Sequence, residues 1–143
     1  MTGKKTDTAE RPMLVVAAAL CGEDGRWLMH RRPAGKHHAG LWEFPGGKVE
    51  LSEIPVEALF RELHEELGID CREAAPEPVG FAETAPHDTG PAIVILLYRI
   101  RSWHGEPQAL EGGQIDWFTP ADALALPKPP LDVLLADQLF QKH

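Results

Sequence analysis

Short apolar runs separated by polar turns make up most of this chain, and one longer segment carries a helical period instead. Leu14 to Leu20 (LVVAAAL) suits a buried strand, although periodicity in so short a run does not by itself exclude a helix. Glu23-Asp24-Gly25 is a turn signal and Trp27-Leu28-Met29 begins a second strand, so the two segments suggest a hairpin. Leu41 to Phe44 reads as a short strand stopped by Pro45-Gly46-Gly47. Over residues 55–67 the apolar positions Val56, Leu59, Phe60, Leu63 and Leu67 fall on a helical stripe about 100° wide. Pro55 suits the first turn of that helix, and Gly68 stands where a left-handed cap residue ends it. Residues 79–83 and 92–100 (AIVILLYRI) read as strands, and 114–118 as a weaker one. Thr119-Pro120-Ala121-Asp122 is a helix start, and a proline-rich turn over 127–130 leads to a last helix over 132–141. Strands on both sides of a central helix predict an α/β fold in which a mixed sheet is sandwiched between helices. Residues 1–11 read as a flexible arm and 12–143 as a single domain.

Composition narrows the partners. The 143 residues are 43% hydrophobic and 25% charged, as in an ordinary globular domain. No apolar run approaches the roughly 20 residues that span a bilayer, and the polar start lacks the apolar core of a secretory signal. Cys21 and Cys71 show no metal or disulfide spacing, so a cytoplasmic location is expected. The net charge of −8 argues against a nucleic-acid polymer, whose phosphates need a basic surface. The charge is uneven: from Arg26 to Lys48 five Lys/Arg stand against one acid, Glu43, whereas from Val49 to Ala75 eight acids stand against two arginines. Two solvated faces would explain this, and so would a site holding an anionic ligand together with a cation.

The acidic block has internal order. On the helix of residues 55–67, Glu62, Glu65 and Glu66 share an arc of about 100° away from the apolar stripe. Carboxylates spaced i, i+3 and i+4 repel, and they sit near the helix C-terminus, where the dipole disfavours negative charge. A solvated acidic face is one reading; a divalent cation among the carboxylates is the other. The surrounding spacing favours the second. Gly47, Glu53 and Arg61-Glu62-Leu63-His64-Glu65-Glu66-Leu67-Gly68-Ile69 follow GX5EX7REUXEEXGU, where U is aliphatic.

This constellation resembles the signature of the Nudix family. The resemblance implies a Nudix-type fold and a loop–helix–loop that binds Mg²⁺ (or Mn²⁺) and cleaves a nucleoside diphosphate linked to another moiety. It implies Glu62, Glu65 and Glu66 as core metal ligands, with Gly47 close to the metal–phosphate complex. Glu62 is the candidate general base and Glu53 its rival. Arg61, at helical spacing from Glu57 and Glu65, is expected to orient carboxylates. Many members carry Ser or Thr where Ile54 stands here, and that loss would cost about 1 kcal/mol unless Ser52 or Glu53 supplies the capping oxygen.

Over residues 12–140 the chain is most similar to the MutT branch, nucleoside triphosphate pyrophosphohydrolases that clear oxidised guanine nucleotides. Arg31-Arg32, residues 41–48 (LWEFPGGK) and Trp117 carry that likeness. It implies phosphate contacts for Arg32 and His37, against the alternatives of a surface ion pair and a solvated loop. It implies base packing for Phe44, against a plain core role, and a metal-site acid at Glu111. At Asp132 the guanine-cleaning enzymes have an asparagine, which both donates and accepts. An ionised aspartate only accepts, which suits a base edge presenting donors, such as the cytosine amino group or the N–H groups of a guanine. Asp132 could instead cap the last helix. The expected substrate is therefore a nucleoside triphosphate such as 8-oxo-dGTP, with CTP or dCTP as the alternative and ADP-ribose a weaker third. A non-catalytic nucleotide-binding module would ordinarily lose box carboxylates, and all four are retained. A monomer or homodimer is expected.

Overall fold

Strand β1 (Met13–Leu20) is buried on both faces, which is why its sequence is apolar without alternation. Val16, Ala18 and Leu20 point into one hydrophobic cluster and Ala17 and Ala19 into another, following the two-residue period of a strand. The computed structural model describes residues 11–140, so all but the last residue of the arm expected over 1–11 lies outside the described residues. The remaining strands are β2 (Trp27–Arg31), β3 (Trp42–Glu43), β4 (Gly46–Lys48), β5 (Glu77–Glu83), β6 (Ile93–Ile100) and β7 (Gln114–Phe118). The helices are α1 (Pro55–Leu67), α2 (Pro120–Ala125) and α3 (Pro130–Phe140).

Two sheets form, one ordered β4-β1-β6-β5 and the other β3-β2-β7. In the first, β1 runs parallel to β6 and antiparallel to β4, so the sheet is mixed. Leu59, Leu63 and Leu67 of α1 cover one cluster, together with Ile69 and Ile100. Leu135 and Ala136 of α3 cover the other, against Met29, Phe44 and Leu97. This is the expected helix–sheet–helix layering.

Local expectations fail at three places. The hairpin over β1 and β2 closes only as far as one bridge, Cys21 with Trp27, after which the strands enter different sheets. The turn itself is as expected, with Gly25 at φ 84° and the Gly22 N–H donating to the Arg26 carbonyl at 2.8 Å. Nor does Pro45-Gly46-Gly47 end the strand structure. Gly46 to Lys48 pair with β1 as β4, in register Ala17↔Gly46 and Val16↔Gly47. A side chain at Gly46 would collide with the Val16 carbonyl, so glycine here permits close strand approach rather than a break. The last helix also begins two residues earlier than expected, at Pro130, a residue suited to a first turn.

Candidate catalytic site

Helix α1 is turned toward its glutamates. Its buried residues are Ala58, Leu59, Leu63, Glu66 and Leu67, whereas Val56 and Phe60 at the other edge of the apolar stripe are only half-buried. The helix starts without a side-chain cap at Ile54; the Glu57 carboxylate accepts from the Ile54 N–H at 3.2 Å instead, so neither Ser52 nor Glu53 fills that role. Gly68 ends it in the left-handed region at φ 75°, donating to the His64 carbonyl at 3.0 Å.

Glu66 is drawn inside by this rotation. Its Oε1 accepts from the Gly46 N–H at 3.1 Å, which ties α1 to β4. Burial pushes its pKa up to about 7, with the neighbouring Glu43 and Glu62 acting in the same direction. Glu62, one turn earlier, lies against Gly47, where any Cβ would collide with its carboxylate. Glycine at 47 thus makes the space that Glu62 occupies. Desolvation raises the Glu62 pKa, opposed by Arg61 and reinforced by Glu65 and Glu111.

Arg61 joins the set. Its Nε donates to Glu53 Oε2 at 2.7 Å and its Nη2 to Glu53 Oε1 at 2.9 Å, a two-pronged pair. Nη1 reaches Glu62 Oε2 at 3.1 Å and Glu65 Oε1 at 3.3 Å, and Nη2 the Lys48 carbonyl at 3.0 Å. Of the two helical partners expected for it, Glu65 is met, while Glu57 is committed to the Ile54 N–H. Those bonds hold Glu53 at a pKa of about 2, so Glu53 and Glu62 are displaced in opposite directions. Glu65 is half-exposed. Glu111 sits on an exposed loop strapped to the end of α1, where the Leu110 N–H donates to the Glu66 carbonyl and the Gln108 N–H to the Leu67 carbonyl, both at 3.0 Å.

On the basic side, Arg32 Nε donates to the His37 carbonyl at 2.7 Å and Nη1 to Glu43 at 3.0 and 3.2 Å. It therefore organises the loop after β2. His37 is exposed, its ring 3.9 Å from that of His38. A cavity of about 380 Å³ lies beside this loop, lined by Arg31, Arg32, Pro33, Gly40 and Gly113 among others. Phe44 is 4% exposed and its ring belongs to the cluster beneath α3. Its N–H donates to Asp132 Oδ2 at 3.0 Å. Asp132 therefore crosses to the β3–β4 connection; burial raises its pKa to about 7, and it is 6% exposed.

Two residues here escaped sequence reasoning. Glu43 stands between Arg32 and His30, and His30 is 4% exposed, facing both Glu43 and Glu66. The only signal for His30 was a titratable residue inside an otherwise apolar strand, WLMHR.

The donors around α1 are carboxylates close enough to raise one another's pKa values, with Gly47 leaving room for one of them, and this oxygen-rich set fits a hard divalent cation. Known proteins resemble this chain over most of its length. The model of the NUDIX domain matches residues 11–139. The CTP pyrophosphohydrolase of Escherichia coli (strain K12) is 40% identical over 127 residues, covering 87% of this chain and 90% of that protein. The 8-oxo-dGTP diphosphatase of Proteus vulgaris is 33% identical over 98 residues, covering 68% and 83%. Among solved structures, that of the E. coli ORF135 protein superposes with a TM-score of 0.80 at 37% identity, covering 94% of this chain and 92% of that one. A MutT NUDIX hydrolase from Burkholderia pseudomallei gives a TM-score of 0.79 at 29% identity, covering 91% and 99%.

Proposed function

The chain belongs to the Nudix family, in its MutT-like branch, as a hydrolase of phosphoric anhydride bonds, and on that premise we propose that it cleaves a nucleoside triphosphate with water between the α and β phosphates, giving a nucleoside monophosphate and pyrophosphate. The observation that carries this reading is the Glu62 carboxylate, seated against Gly47 with a raised pKa beside Arg61.

Glu62, Glu65, Glu66 and Glu111, with the Gly47 carbonyl, would hold Mg²⁺. Bound there, the ion supplies charge neutralisation of the phosphates and a more acidic bound water. The work of the protein groups follows from their surroundings. Glu62 offers Oε1, the oxygen that Arg61 does not engage, to take a proton from the attacking water. Glu53 is the weaker base because its pairing with Arg61 holds its pKa at about 2. Its role is to fix the guanidinium that orients Glu62 and Glu65. Arg32 and His37, on the basic loop after β2, would meet the phosphates.

For the base we favour cytosine. Asp132 with a pKa near 7 is present at neutral pH in both protonation states, and its protonated form can donate to a ring nitrogen while accepting from an amino group. Cytosine presents that pair side by side. The 40% identity to a protein named CTP pyrophosphohydrolase supports this choice. An oxidised guanine nucleotide is the second reading, supported by relatives named 8-oxo-dGTP diphosphatase. A panel of CTP, dCTP, dGTP and 8-oxo-dGTP with Mg²⁺, assayed separately for pyrophosphate and phosphate, tests both. We expect pyrophosphate release with the highest kcat/KM on a cytidine nucleotide; a preference for 8-oxo-dGTP would select the second reading. No turnover of any nucleotide by folded protein would reject the activity.

A further inference from the structure

The buried histidine on β2 is held as a metal ligand would be. The His30 Nε2 lies 3.0 Å from the Gly112 carbonyl, which can only accept, so Nε2 carries the hydrogen. That bond turns Nδ1 toward two carboxylates, Glu43 Oε2 at 3.7 Å and Glu66 Oε2 at 3.9 Å. Nδ1 is buried and has no hydrogen-bond partner among the described residues. Ligand atoms of His30, Glu43 and Glu66 all lie within 4.8 Å of one another. We propose that His30 Nδ1, Glu43 and Glu66 form a binding site for a first-row divalent transition ion such as Zn²⁺, distinct in donor chemistry from the all-oxygen set on α1 and sharing Glu66 with it.

Distances decide between an ion and a proton as the bridge. A charge-assisted N–H···O bond closes to about 2.7–2.9 Å. Ligand atoms held around one ion by bonds of roughly 2.0–2.2 Å stand about 3 to 4 Å apart. The two separations at Nδ1 fall in the second range. An imidazole donating its other N–H to a backbone carbonyl is also the arrangement that fixes the tautomer and ring orientation of a metal-bound histidine. An imidazole nitrogen beside carboxylates suits Zn²⁺, whereas Mg²⁺ favours oxygen ligands. Two fixtures hold the carboxylates in place: Arg32 Nη1 on Glu43, and the Gly46 N–H on Glu66 Oε1, which leaves Oε2 facing the histidine.

The test is direct titration of the full chain with Zn²⁺ alone, and separately with Mg²⁺ alone, by calorimetry. A His37→Ala/His38→Ala background removes the adjacent surface imidazoles. We expect Zn²⁺ binding that His30→Ala weakens by about tenfold or more, with Mg²⁺ binding unchanged. Undiminished Zn²⁺ affinity in His30→Ala, or no Zn²⁺ binding by the parent, would overturn the site. Because a buried substitution can harm folding, ¹⁵N-histidine spectra of the parent protein give a second reading. The His30 Nδ1 resonance should move to the metal-bound range on Zn²⁺ addition, and an unmoved resonance rejects the assignment. Both measurements are made without nucleotide, so loss of this site and loss of the hydrolase activity are separate results.

Discussion

Glu53 and Glu62 share one arginine, yet their surroundings set them apart: Glu53 is clasped by two guanidinium nitrogens, Glu62 by one, and Glu62 is the more desolvated. Glu62→Gln should therefore lower kcat by about 10²–10⁴-fold with the fold intact, the range for loss of a general base. A circular dichroism spectrum and melting point like the parent's, with single-turnover kinetics, check this; an unchanged rate rejects the role. Gly47→Ala should lose activity comparably for a steric reason, since the added methyl takes the place of the Glu62 carboxylate. Asp132→Asn leaves one oxygen to accept from the Phe44 N–H but fixes the donor and acceptor pattern at all pH values. The ratio of kcat/KM for 8-oxo-dGTP over CTP should rise in that variant; an identical substrate profile would mean that Asp132 does not read the base.

At the scale of elements, α1 carries both core and chemistry, and the two can be perturbed separately. Leu59 is fully buried against β1, so Leu59→Ala should cost about 2–5 kcal/mol in urea unfolding through the cavity it leaves. At the other end of the same helix, Ile54 is 60% exposed at the cap position and offers no oxygen. Ile54→Ser should stabilise the protein by about 0.5–2 kcal/mol, read as a higher urea midpoint with unchanged slope. Helical periodicity alone located this helix and its Gly68 terminus. It did not show the rotation that buries Glu66, because hydrophobicity ranks a glutamate as surface. The bond from the Gly46 N–H and the packing of Ala58 override that ranking. The β1–β2 hairpin fails for a related reason: turn residues reveal that the chain reverses, not which sheet receives the second strand.

For the whole molecule, the buried acids set the dependence of stability on pH. Glu66 and Asp132 have pKa values raised to about 7, well above the ordinary carboxylate range, and the His30 pKa is raised as well, chiefly by Glu43. The folded state therefore holds more protons than the unfolded chain between about pH 4 and 7, and stability falls as pH rises through that window. Glu53, held at about 2, acts oppositely, but only as pH falls below the ordinary glutamate value of about 4.3. Metal-free protein should accordingly melt at a higher temperature at pH 5 than at pH 8, and Asp132→Asn should shrink the difference. Added Mg²⁺ should raise the melting temperature at pH 8 more than at pH 5, because it binds the ionised carboxylates. A melting temperature that rises from pH 5 to pH 8 without metal would contradict this account.

Among the described residues, no helix is long and apolar enough to cross a membrane. What the amino-acid sequence determined by itself was whatever depends on local order: the helices, every strand but β4, the layered fold class, and the spacing that puts Gly47, Glu53, Arg61, Glu62, Glu65 and Glu66 within reach of one another. Those relations lie within about twenty residues and one helix period, so they are legible without a fold. Tertiary structure decided what depends on burial and on contacts between distant segments. It bonded Phe44 to Asp132 across 88 positions and His30 to Gly112 across 82, and it brought Glu43 beside a residue of the box. Desolvation then raised the pKa values of the groups so enclosed. A protonation state is a property of surroundings rather than of residue type, and the surroundings exist only once the chain has closed.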